Sequence, residues 1–172
     1  MNKKILTILN TGISIDEFED NYYICPNNKN YTFKTSPNYL AGHYKKEVKY
    51  IAKIRARGIV KLIGNEFVVI EKRGNLADKD IINRLLIEVC KKDQAMGVID
   101  REKESRAEGN QVFLLEDVKE INASYTPGFT QFSKLYVNLI SSQEITFDIV
   151  ATKLRNKDLN IYDFSCVNLD EM

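Results

Sequence analysis

The sequence predicts an α+β domain in which a curved mixed or antiparallel sheet, or a small β-barrel, carries two flanking helices. Three observations predict it. Residues 48–57 alternate with period two, apolar residues recur at helical spacing across 78–96, and Phe147, Val150, Ala151 and Leu154 share one face of a shorter helix.

The 172 residues suit one domain, 1–172, large enough to bury a core without covalent staples. No apolar run approaches the length of a bilayer span, so no membrane partner is expected. The opening MNKKILTILNTG shares a charged start and a short apolar run with signal peptides. Its apolar run, residues 5–9, is too short, and no small-residue cleavage site follows. A first strand and a cytoplasmic location are the expectations. Cys25, Cys90 and Cys166 are scattered and odd in number, which fits reduced thiols better than a disulfide framework or a zinc site.

Residues 3–9 read as a strand punctuated by Gly12, and Ser14 with Glu17 resembles a capping box for a helical turn through Phe18. Residues 22–25 form a second strand, stopped by Pro26 and the turn formers Asn27 and Asn28. A polar loop leads to residues 39–61, YLAGHYKKEVKYIAKIRARGIVK, the longest strand-like stretch. Within it Val48, Tyr50, Ala52, Ile54 and Ala56 point one way, and Lys49, Ile51, Lys53, Arg55 and Arg57 the other. Gly58 is expected to break this stretch into a bend or bulge, and Asn65 with Glu66, after Gly64, to turn it into a strand over 67–71.

From Asp78 the period changes. Ile81, Ile82, Leu85, Leu86 and Val89 mark a helix with acids first, bases last and Gly97 as its stop. Residues 100–110 read as a solvated loop or frayed helix end. Strands follow over 111–121 and 135–140, separated by SYTPGFTQFSK, and Thr146 caps the last helix. Residues after Leu159 pack as an edge strand. The order is β, β, β, β, helix, β, β, helix.

The net charge of +1 hides an asymmetry: residues 1–75 carry 13 Lys/Arg against 7 Asp/Glu, and residues 76–172 carry 12 against 17. Nine bases and one acid, Glu47, lie between Lys29 and Lys61, a concentration that suits a local anionic partner. Alternate strand residues stand about 6.6 Å apart, close to two phosphate steps of about 3.4 Å. Lys49, Lys53, Arg55 and Arg57 can therefore track a nucleic-acid backbone, with Tyr31, Tyr39 and Tyr44 as stacking surfaces. The alternative is an amphipathic strand whose lysines solvate and protect an edge. Asn28, among Asn27, Lys29 and Asn30, either reads base edges or makes a turn. Phe129, with Tyr125 and Phe132 around Pro127 and Gly128, forms either an aromatic clamp or a hydrophobic plug. His43, beside Tyr39 and Tyr44, serves either packing and hydrogen bonding or ligand contact.

His43 is the only histidine, which excludes paired-histidine metal sites and two-histidine acid–base catalysis. No Walker A loop, G-x-G-x-x-G or nucleophile elbow is present. Glu71 and Lys72, adjacent on a strand, face opposite ways and cannot enter one nuclease site. The chain therefore reads as a binding protein with no cofactor and no metal. Catalysis by His43 or a single carboxylate stays open.

A strand ending in YYICPNN, a basic loop, the aromatic NYLAGHY stretch, VKYIAKI and a later VFLLEDV strand with an aromatic-glycine loop together resemble the small mixed barrels of the PUA-like group, including ASCH and EVE-type domains. The resemblance covers residues 22–140. It implies RNA or DNA binding, in some members with a modified base flipped into an aromatic pocket, and an association with bacterial or phage defence. Such a pocket would be lined by residues 25–28, 39–44 and 125–132. The partner so implied is nucleic acid, and a pocket for a small anionic signalling nucleotide is the alternative. A third reading has the acidic C-terminal half meeting a protein. A homo-oligomer and the choice of DNA or RNA stay open.

Overall fold

The computed structural model describes residues 1–27, 32–74, 79–96, 109–125, 134–160, 163–164 and 166–172. Strand β1 (Asn2–Asn10) leads into a 3-10 helix (Gly12–Asp20), then β2 (Tyr22–Pro26), β3 (Tyr39–Tyr44), β4 (Glu47–Ile63) and β5 (Glu66–Gly74). Helix α1 (Lys79–Met96) precedes β6 (Asn110–Tyr125) and β7 (Lys134–Ser141). Helix α2 (Phe147–Leu154) and the short strands β8 (Asp158–Leu159) and β9 (Cys166–Asn168) complete the chain. The fold is mixed α+β, as expected.

The strands hydrogen-bond in the order β2-β6-β4-β3-β1-β7-β9, with β5 added to β4 and β8 to β6. β1 runs parallel to β3, β6 to β8 and β7 to β9, while β1–β7, β2–β6, β3–β4 and β4–β5 are antiparallel. The mixed-sheet form of the expectation is the one realised. Among the described residues no pairing joins β2 to β9, so the sheet does not close into the small barrel that was the other expectation. Both ends suit an open sheet: β2 finishes at Pro26, which has no N–H to donate, and β9 is three residues long. No helix of the described residues is long and apolar enough to cross a membrane.

Packing divides the chain into two compact units. The first comprises Met1–Phe18, Lys34–Lys53 and Asp117–Met172, and the second Glu19–Phe33 and Ile54–Glu116.

In the first unit β3 is a central strand, paired with β1 through Leu6 opposite Tyr39 and with β4 through Tyr39 opposite Lys53. Partners directly opposite share a face. Leu6, Ile8, Tyr39, Ala41, Val137 and Leu139 therefore form one surface, which packs with Phe147, Val150, Ala151 and Leu154 of α2 in a single core. Thr146 caps that helix, its side-chain oxygen accepting from Ile149 N at 3.4 Å, as the sequence predicts. The other surface meets the 3-10 helix. Phe18 stacks on Tyr50 with ring centroids 6.3 Å apart. A Cβ on Gly42 would sit 2.5 Å from Ile15 Cδ1, so any larger residue there would have to displace the Ile15 side chain.

Two local irregularities shape β4. Its register against β3 shifts between Gly42 and His43, so that His43 faces Val48 while Gly42 faces Tyr50. Lys49 is the extra residue of a bulge, and the bulge turns Val48 onto the face of Ile51. The expected alternation is corrected here: Val48 and Tyr50 lie on opposite faces, and Ile51, assigned to the basic row, is fully buried in the α2 core. The β3–β4 turn is Lys45–Lys46, both with positive φ (49° and 64°), the two-residue geometry that asparagine–glycine normally fills. Tyr125 N donates to Lys46 O at 2.8 Å and holds the turn.

In the second unit Ala56 and Val60 of β4 pack with Ile82, Leu86 and Cys90 of α1 and with Val112 and Leu114 of β6. Gly58 does not break the strand, which runs unbroken from Glu47 to Ile63. Its hydrogen atom makes room for α1: a Cβ there would lie 2.5 Å from Leu86 Cδ1 and 3.1 Å from the Glu71 carbonyl oxygen. The bulge falls next to it, between Ile59 and Val60, where Ile70 is the extra residue on β5. The hairpin turn is Gly64–Asn65, and Glu66 already pairs with Ile63. Glu71 and Lys72 diverge as strand geometry requires: Glu71 pairs with Arg73 at 2.9 Å, whereas Lys72 Nζ donates to Asn83 of α1 at 3.0 Å.

Candidate nucleic-acid interface

Opposite the face that packs on α1, the second unit carries Arg55 and Arg57 of β4. Cross-strand register sets Arg73 of β5 directly beside Arg57. Arg55 and Arg73 are exposed and Arg57 is half-buried. The strand repeat puts the two β4 arginines about 6.6 Å apart.

Arg57 is held by specific partners. Its Nη2 donates to Gln111 Oε1 at 2.9 Å, and its guanidinium carbon lies 5.2 Å from the centre of the Phe33 ring and 5.3 Å from that of Phe113. The two rings are themselves 4.9 Å apart, and Tyr23 packs on Phe113 from β2 at 6.2 Å. Gln111 is buried and its Nε2 donates to Pro26 O at 3.5 Å, which fixes the orientation of the amide. The sequence produces this layer by alternation: Val112 and Leu114 face α1, so Gln111 and Phe113 face the arginines. A planar cation over an aromatic pair is the arrangement that selects arginine over lysine. The result is an aromatic-backed cationic strip with two arginines on alternate strand positions, a backbone repeat close to two phosphate steps. Among the described residues no cluster of His, Cys, Asp and Glu could hold a metal ion.

Lys49 and Lys53 belong to the first unit: Lys53 is exposed, and Lys49, the bulge residue, lies half-buried with Nζ 4.9 Å from the centre of the Tyr50 ring. Tyr39 is no open stacking surface, because it is buried against Phe147 at 5.5 Å. Burial raises its phenol pKa, an effect that Lys53 opposes. His43 is buried too. Its Nε2 lies 3.3 Å from the Tyr125 carbonyl oxygen, which can only accept, so Nε2 carries the proton. Burial pushes its pKa below the ordinary imidazole value. Tyr125 stands edge-on to both His43 and Phe164, and burial raises its phenol pKa to about 12, so it stays neutral. His43 and Tyr125 are core residues. Tyr44 is half-buried under Lys45, whose Nζ is 5.0 Å from the ring centre. Asn28, Tyr31 and Phe129 lie outside the described residues.

Sequence reasoning left Arg73, Gln111 and Phe113 out of the site. The signal for Gln111 and Phe113 was the alternation of QVFLL, with a polar and an aromatic residue on the same face. Arg73 could be found only from the hairpin register. No protein-family model matches the chain, and no curated protein or solved structure matches it.

Proposed function

We infer that the chain binds single-stranded nucleic acid through the Arg55–Arg57 face of its second unit, without catalysis. The observation that supports this most is the placement of Arg57. Its guanidinium is fixed over Phe33 and Phe113 by Gln111, beside an exposed Arg55 on the same face. Phosphate contacts from arginine supply affinity, and a half-buried aromatic such as Phe33 gives a base a surface to stack on, which suits unpaired strands of any sequence. Nucleic-acid binding is also what the PUA-like resemblance implies, and a cytoplasmic setting, where the three free thiols persist, fits the role.

The test is fluorescence anisotropy with labelled single-stranded and duplex oligonucleotides, of both DNA and RNA, at low salt. Tighter binding of single strands, weakened by Arg55→Glu in a protein that remains folded by circular dichroism, supports the reading. No measurable binding to any of the four, or binding indifferent to Arg55→Glu, refutes it.

A further inference from the structure

We propose that the chain forms a two-fold symmetric dimer by antiparallel pairing of β5 with β5 of a second copy. Among the described residues, three of the exposed large apolar side chains lie on one hairpin. They are Ile63, Val68 and Ile70 of β4–β5, 55 %, 38 % and 53 % exposed. Single exposed apolar residues are ordinary, whereas a cluster beside one hairpin marks a contact surface. That hairpin also ends in a strand edge. Among the described residues β5 pairs with β4 alone, so its second edge offers the row of N–H and C=O groups that recruits another strand.

The side chains of β5 say which strand. The bulge at Ile70 puts Phe67, Val69 and Lys72 on the α1 face, and Glu66, Val68, Glu71 and Arg73 on the other. An antiparallel partner must match faces residue by residue, because a one-residue slip inverts them. Pairing β5 with itself so that Glu66 meets Arg73 achieves this. Phe67 then meets Lys72 on the α1 face, and Val68 meets Glu71 on the other. The two-fold axis repeats the Glu66–Arg73 pair at both ends, and the two Ile70 side chains flank the axis. Opposite charges facing across strands attract and like charges repel, so the edge is complementary to its own copy.

The test is sedimentation velocity over a concentration series without nucleic acid. The wild-type chain should dimerise reversibly. Glu66→Arg and Arg73→Glu should each weaken the dimer about tenfold, since symmetry makes every reversal count twice. The double variant E66R/R73E should return to within about twofold of wild type. Val68→Lys, at an exposed position, should give a monomer with an unchanged circular dichroism spectrum. A wild-type chain that stays monomeric overturns the proposal. So does a dimer insensitive to these variants, or a double variant no better than either single one.

Discussion

Substituting Gly58 by alanine tests whether α1 is seated against β4 as closely as the structure has it, and that seating is what turns Arg55 and Arg57 to the opposite face. The new Cβ would lie 2.5 Å from Leu86 Cδ1 and 3.1 Å from the Glu71 carbonyl oxygen. The first contact is with a flexible side chain, but Leu86 is fully buried among Ile82, Cys90, Val60 and Val112, so its end has nowhere to swing. The second is with the backbone of β5. Overpacking of this kind costs about 1–3 kcal/mol. Alanine returns roughly 0.4–1 kcal/mol by restricting the unfolded chain, because the φ of Gly58 is not positive and suits alanine. The net expectation is a loss of about 1–2 kcal/mol, read from urea unfolding followed by circular dichroism. Leu86→Ala alone should cost about 2–5 kcal/mol, and the double variant should fall short of the sum by about 1 kcal/mol, because the truncated side chain makes room for the new methyl. A neutral or stabilising Gly58→Ala, additive with Leu86→Ala, would refute the reasoning.

Other outcomes follow from the first unit. Lys46 sits at φ 64° in a turn that needs left-handed backbone, so Lys46→Gly should stabilise the chain by about 1 kcal/mol in the same urea assay. His43 is held neutral by burial, with its pKa lowered. A depressed folded-state pKa means the unfolded chain takes up the proton first. Stability is therefore full above about pH 6.5 and declines as pH falls through that value toward the folded pKa. It is the only histidine, so His43→Gln should flatten the stability profile between about pH 7 and pH 5. An unchanged slope would mean that the imidazole is hydrated in the folded state.

Much of the fold was legible because regular periodicity and local caps are written in single residues. Helix α1 follows from five apolar residues at helical spacing, and α2 from Thr146 and a four-residue apolar face that is buried as drawn. Bulges leave no such mark. Lys49 consumes one position of β4 with no glycine to announce it, so Val48 and Ile51 came to share a face that strict alternation had kept apart. Gly58 looks the same in sequence whether it breaks a strand or admits a helix, and only the approach of Leu86 decides. The same limit governed the site. Tyr39 and His43 stand in the most basic region of the sequence, yet β3 lies between β1 and β4, and the run YLAGH is buried throughout. Gln111 and Phe113 entered the site through strand pairing over more than fifty residues of sequence separation, which composition does not report.

The most direct measurement of the binding claim is the salt dependence of single-strand affinity for the wild-type chain and for Arg55→Ala. Arg55 is exposed and lies in neither core, so its loss leaves the fold intact. A log–log slope for wild type that becomes shallower by about 0.7 in Arg55→Ala corresponds to one phosphate contact removed, and is the predicted result. An identical slope for the two proteins, or affinity independent of salt, would contradict the assignment of this face to nucleic acid.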